Sequence, residues 1–436
     1  MATKTESVGS APRGAVDGLV KGMPNDLATV PIDTIAQMGW NLLTGDVSLP
    51  SAVLHAAAIE HNIRWMQHYV GTLGAHLAPH GKTTMAPVLM NRQLAAGAWG
   101  MTAATMQQVR VMRESSITRI LLANQLLQVI EIRYICSELN DPTFEFYCLV
   151  DSIAGCRLLA RHLHQFRAPR PLDVLIELGI AGRRTGCRSA SEATQLAAEI
   201  DRHRDVLQLA GIEGYEGLIS GDNHTDTERN INAYLDEVVS TARTVAGLGF
   251  IKRNSMLLSA GGSGHFDLVS QKLCSTNMGT ETEVVLRSGC YISHDHQHYR
   301  ELQARMHQRD SSLGPLDQGL WPALEVWALV QSRPEPGRVI CNLGKRDAGI
   351  DYHPPKAIRW YRQRNHPAPQ AITFETTTAE VNDQHCNLTV SADCPLEVGD
   401  LVAFGISHPC TTFDRWQTLL LVNESYDVID VVQTFF

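Results

Sequence analysis

The chain has 436 residues, a net charge of -9 and 44% hydrophobic side chains, enough for two domains with sizeable cores. No basic stripe with interleaved aromatics occurs, which argues against a nucleic-acid partner; no apolar run approaches the roughly 18 residues of a membrane span. The first 25 residues are polar and carry no secretory apolar segment, and the ten cysteines contain no C-x-x-C pair, so reduced thiols in a soluble, cytoplasmic protein are expected.

Residues 1–48 read as an N-terminal extension, with a weakly amphipathic piece around Ile32 to Leu43, expected to pack on the second domain. From about Leu49 to Ile292 short apolar runs alternate with helical segments, which predicts parallel strands joined by crossover helices. The extended runs are Ala52 to His55, Ala75 to Pro79, Gly100 to Ala104, Ile120 to Asn124, Phe144 to Asp151, Val174 to Leu178, Leu207 to Glu213, Met256 to Ala260 and Glu283 to Leu286. Nine runs for eight places suit a closed (β/α)8 TIM barrel over 49–300, with one run left for the second domain. A doubly wound sheet is disfavoured, because no glycine fingerprint follows the first strand. Beyond residue 300, Pro- and Gly-rich turns and Thr- and Val-rich runs such as Ala371 to Val381 and Leu401 to Phe404 predict a mostly β domain over 301–436.

Three stretches carry chemistry. In Pro79-His80-Gly81-Lys82-Thr83-Thr84, Lys82 stands where a barrel strand ends, as a candidate amine for a Schiff base with an aldehyde; among apolar neighbours its pKa would fall. The alternative is a surface lysine capping a strand. Ala260-Gly261-Gly262-Ser263-Gly264 lies between a strand and a helix, where backbone N–H groups converge on a phosphate, or else form a plain tight turn. A phosphate loop and a Schiff-base lysine in one barrel imply pyridoxal phosphate (PLP). In His408-Pro409-Cys410 the two side chains share a face of an extended chain, and imidazole with thiolate favours zinc, leaving positions open for water or substrate. A surface histidine beside a buried cysteine is the plainer reading. The runs His294-Asp295-His296-Gln297-His298 and Asn382-Asp383-Gln384-His385 are a lesser metal candidate and a turn.

Together these residues resemble the D-serine dehydratase and D-threonine aldolase family, PLP enzymes of the alanine racemase fold, from about Leu49 to Val432. The matching stretches are Pro79 to Thr83, Leu122 to Gln125, Gly214-Tyr215-Glu216-Gly217, Ser259 to Gly264, Gly289-Cys290-Tyr291 and His408-Pro409-Cys410. The resemblance implies PLP on Lys82, its ring against Tyr215, its phosphate on Gly261, Gly262, Ser263, Gly264 and Tyr291, and Zn2+ or another divalent cation on His408 and Cys410. It also implies a homodimer. The expected reaction is dehydration and deamination of a D-serine-like substrate to a 2-oxo acid and ammonia, since aldolases of the family tend to show H-x-D. The alternatives are metal-activated retro-aldol cleavage, a racemase and a non-catalytic PLP-binding protein. The chain departs from the family at Ala181-Gly182-Arg183-Arg184-Thr185-Gly186, where relatives carry a different glycine-rich turn before the arginine, and just after Cys410. It is similar to proteins described as amino acid deaminases.

Overall fold

The computed structural model describes residues 14–363 and 365–436, which fall into two compact units. One contains Met66–Lys82 and Gln93–Gly289; the other contains the described residues up to Trp65, Thr83–Arg92 and Cys290–Phe436.

The first unit is an eight-stranded parallel barrel. Its strands, His76–Leu77, Met101–Ala103, Arg119–Gln125, Glu145–Val150, Leu172–Leu178, Leu207–Gly214, Met256–Ala260 and Thr282–Leu286, lie side by side in chain order. The last pairs with the first through Val285 with His76 and Leu286 with Leu77. The circuit then closes where the Trp99 N–H donates to the Leu77 carbonyl at 2.8 Å and the Thr102 N–H to the Pro79 carbonyl at 2.9 Å. Alternate residues point inward and fill the interior with Ala78, Leu121, Tyr147, Leu149, Leu175, Ala210, Leu257 and Val285. Gly211 lets the neighbouring strand pass close, because a Cβ there would stand 1.8 Å from the Leu257 carbonyl oxygen. Crossover helices such as Met106–Glu114, Ile153–Gln165, Ala190–Arg202 and His224–Gly247 start on side-chain caps from Thr105, Ser152, Ser189 and Asn223. The helix Val129–Glu138 has no counterpart in the helices named from the sequence. It starts without a side-chain cap, and its first turn exposes Val129 and Ile130, which blurs the helical period.

The second unit is a ten-stranded, mainly antiparallel sheet built on the long strand Leu324–Ser332. The ninth extended run proves to be its strand Ser51–His55, antiparallel to Leu324–Ser332 and parallel to Thr418–Val422. The barrel strands therefore begin at His76, not within the first residues after 49. Val16, Met23, Ile32, Ile35, Leu42, Leu43 and Val47 of the N-terminal segment are buried in one cluster with Trp327, Ala403, Leu420 and Val431 of the sheet. Each such aliphatic side chain contributes about 1.5–3 kcal/mol. Among the described residues no helix is long and apolar enough to cross a membrane.

Candidate functional site

Lys82 lies in the one-turn helix Gly81–Thr83, just beyond the strand that closes the barrel, and its side chain is exposed. That exposure differs from the enclosed, apolar setting expected from the sequence. His80, two residues earlier, has its Nδ1 sealed from solvent with no hydrogen-bond partner. Burial, reinforced by the charges of Lys82, Arg287 and Arg184, holds this imidazole well below its usual pKa and therefore neutral at pH 7.

The glycine loop leaves the barrel between Met256–Ala260 and the helix Phe266–Cys274, with Gly261 in the left-handed region at φ +94°. Two of the N–H groups assigned to phosphate are taken from within the protein. The carboxylate of Glu216, fully buried, accepts from Gly261 N–H at 3.1 Å and from Gly262 N–H at 2.8 Å. The Ser263 hydroxyl accepts from the Gly289 N–H at 3.3 Å, and the Ser288 hydroxyl donates to the Gly262 carbonyl at 2.8 Å. The part of the loop that could turn donors to a phosphate is the Ser263 and Gly264 end, at the start of the helix. Tyr215 stands over this loop: a Cβ on Gly262 would lie 2.8 Å from its ring, and the Arg184 guanidinium sits 4.8 Å from its centroid. Its backbone N–H is fixed by the Tyr234 hydroxyl at 3.1 Å. Below the loop Arg287 forms a buried ion pair with Glu213 and donates to the Gly214 carbonyl at 2.7 Å. Burial raises Glu213 to about 7, with Arg287 opposing and Glu177 and Glu216 adding to the rise. The cradle under Tyr215, the neutral His80 and the exposed Lys82 amine fit PLP. Tyr291 is buried in the turn Cys290–Ile292 of the second unit.

In that second unit the strand Leu401–Gly405 leads into His408 and Cys410. The chain is not extended between them; Pro409 is helical at φ -72° and ψ -36°, and Cys410 opens the short helix Cys410–Phe413. That turn, rather than strand alternation, brings both donors to one side. Cys290 joins them, and the three donor atoms lie within 4.8 Å of one another. The Cys290 and Cys410 sulfurs are 3.6 Å apart, and the Thr83 Oγ1 is 3.5 Å from Cys410 Sγ and 3.8 Å from Cys290 Sγ. His408 Nδ1 is buried without a hydrogen-bond partner, and Tyr299 and Tyr352 pack their rings 5.7 and 5.4 Å from its own. An imidazole nitrogen within 4.8 Å of two sulfurs fits a thiophilic divalent metal. Burial, and then the Cys290 and Cys410 charges, push the Tyr299 hydroxyl well above its usual pKa.

The run 294–298 forms no metal cluster among the described residues. Asp295 instead accepts from the N–H groups of Gln297 and Tyr299 at 2.9 and 3.0 Å at the start of the helix His298–Arg309, and His296 is buried. Asn382 to His385 form a hairpin turn, closed by the Asn382 N–H on the His385 carbonyl at 2.8 Å. Reading the sequence alone passes over Cys290 as a neighbour of His408 and Cys410 and Glu216 as a loop anchor. Both lie in stretches that carry the family resemblance, Gly289-Cys290-Tyr291 and Gly214-Tyr215-Glu216-Gly217, but neither stretch marks its partner.

Residues 54–270 match the alanine racemase N-terminal domain, and residues 323–422 match a putative serine dehydratase domain. The chain belongs to the PLP-dependent family of D-amino acid enzymes with the alanine racemase fold. Among its relatives is a D-threonine aldolase of Arthrobacter sp., 25% identical over 87% of this chain and 90% of that protein. A D-threo-3-hydroxyaspartate dehydratase of Delftia sp. is 28% identical over 40% of this chain and 45% of that protein. Both family relatives are lyases. The crystal structure of D-threonine aldolase from Filomicrobium marinum superposes with a TM-score of 0.71 at 21% identity, covering 91% of this chain and 96% of the other.

Proposed function

We propose that the protein is a PLP- and metal-dependent lyase that removes water from a small D-3-hydroxy amino acid, of which D-serine is the simplest, and releases a 2-oxo acid and ammonia. The observation that carries this reading is the convergence of His408 and Cys410 with a third sulfur, within 4.8 Å. Bound PLP supplies the electron sink for the pair left at Cα, and a metal on His408 and Cys410 supplies a Lewis acid for the departing hydroxyl. Lys82 carries the cofactor, and its Nζ takes the α-proton. His80, being neutral, adds no positive charge beside that amine. Glu216 holds the loop so that Ser263 and Gly264 present donors to the phosphate, and Tyr215 covers the cofactor ring. The 2-aminoacrylate that leaves takes up water and loses ammonia, giving pyruvate from D-serine.

A D-threo-3-hydroxyaspartate dehydratase has been solved as variants in which a histidine and a cysteine two positions apart are each replaced by alanine, the cysteine variant in the metal-free form. The spacing is that of His408 and Cys410, which supports a metal at this pair. The purified protein should absorb at roughly 410–420 nm, as a PLP lysine does. It should convert D-serine to pyruvate and ammonia, stop on chelation and recover with zinc. A cofactor band without any keto acid from D-serine would refute elimination. The second reading is metal-activated retro-aldol cleavage, favoured by the similarity to D-threonine aldolase over 87% of the chain; its products are glycine and an aldehyde.

A further inference from the structure

We propose that Cys290 is a third protein ligand of the metal on His408 and Cys410, giving one imidazole nitrogen, two thiolates and a single open position. The inference rests on the metal-dependent reading above and deepens it.

Geometry carries the argument. With zinc–sulfur bonds of about 2.3 Å, two thiolates on one tetrahedral ion stand about 3.8 Å apart, whereas a disulfide holds its sulfurs at about 2.05 Å. The Cys290 and Cys410 sulfurs are 3.6 Å apart, at the spacing of a shared ion rather than of a disulfide. Each is set at the start of a short helical element, Cys290–Ile292 and Cys410–Phe413, so neither side chain has to be drawn in from a loose loop. The Cys290 carbonyl further accepts the His294 N–H at 2.7 Å. The Thr83 hydroxyl within 3.5 and 3.8 Å of the two sulfurs, and the Tyr299 hydroxyl hydrogen-bonded to Cys290, are polar groups able to balance charge on a pair of thiolates.

The donor set has a chemical consequence. Two thiolates neutralise a divalent ion and select a soft or borderline one, zinc or cobalt, over magnesium or manganese. Three protein ligands on a tetrahedral ion leave one place, which suits a single substrate oxygen. A centre with two protein ligands would leave two.

The test uses the PLP-containing protein, stripped of metal and titrated with cobalt(II), with the near-ultraviolet thiolate-to-cobalt charge-transfer absorbance read per bound cobalt. Cys290→Ser and Cys410→Ala should each retain about half of the unsubstituted absorbance, since each leaves one thiolate ligand. Zinc affinity, measured by competition with a chromophoric chelator, should fall at least about tenfold in Cys290→Ser. Retained cofactor absorbance and an unchanged far-ultraviolet dichroism spectrum show that a variant is folded. Should Cys290→Ser not fold, Cys410→Ala decides alone: it keeps a band if Cys290 is a ligand and shows none if it is not. Full absorbance and unaltered zinc affinity in Cys290→Ser would overturn the assignment while leaving metal-dependent elimination standing. A two-thiolate signature in a protein that makes no keto acid would refute the elimination reading and leave the Cys290 assignment intact.

Discussion

Replacing Glu216 with alanine removes the acceptor that the Gly261 and Gly262 amides share. Each N–H now meets the carboxylate at 3.1 or 2.8 Å, the Gly261 bond buried and the Gly262 bond half-buried. A buried donor left unmet costs about 1–3 kcal/mol and a half-buried one less, so the two together cost up to about 5 kcal/mol, offset in part because a carboxylate is no longer buried. A net loss of about 3 kcal/mol is expected, which at about 2–4 °C per kcal/mol lowers the melting temperature by roughly 6–12 °C. Glu216→Gln keeps one acceptor oxygen but turns an NH2 group towards the second N–H, so its melting temperature should fall about half as far. The assay is differential scanning calorimetry of each variant with and without added PLP, together with cofactor retention after dialysis. Because the same two amides set the path of the loop towards Ser263 and Gly264, retention should fall in the order unsubstituted, Glu216→Gln, Glu216→Ala. A Glu216→Ala protein melting within about 1 °C of the unsubstituted chain would refute the energetic assignment. Equal retention in all three would refute the link to the cofactor.

Cys410→Ala should lower pyruvate formation from D-serine while leaving the cofactor absorbance in place; elimination that survives exhaustive metal removal from that variant would remove the metal from the reaction. Lys82→Ala should lose that absorbance, and a spectrum like that of the unsubstituted protein would place PLP elsewhere. In the sheet unit, Glu325 is buried, and burial alone would raise its pKa; contact with His55 at 3.0 Å, with the charges of Arg359 and His296, instead lowers it to about 2. The sign follows from the lowered value: the stability this carboxylate contributes is whole above its unfolded pKa of about 4.5 and is lost as pH falls towards 2. Urea midpoints between pH 5 and pH 3 should therefore fall less in Glu325→Gln than in the unsubstituted chain, and parallel profiles would exclude the group. Leu257→Ala in the barrel interior should cost about 2–5 kcal/mol, read from the same urea transitions.

The barrel was legible because a strand buried on both sides writes a continuous apolar run, and the eight runs recur between strongly periodic helices. The run at 52–55 was legible as a strand but not as a strand of the sheet, since its neighbours Leu324–Ser332 and Thr418–Val422 come more than 250 residues later. The same limit governs the site. Lys82, the glycine loop and the pair His408 and Cys410 are local patterns, two to five residues long, in which neighbours in sequence act together. Glu216 and Cys290 act on groups 45 and 120 residues away, and nothing next to either in the chain marks the partner. Among ten cysteines, most are simply buried, so a lone sulfur after Gly289 carries no signal until the fold sets it 3.6 Å from Cys410. Local motifs thus indicate the class of chemistry, while the number of ligands on the metal, and with it the number of places left for substrate oxygen, is decided by long-range packing. The cobalt absorbance of Cys410→Ala bears on that division directly, because any thiolate band left in that variant must come from a residue outside the His408-Pro409-Cys410 motif.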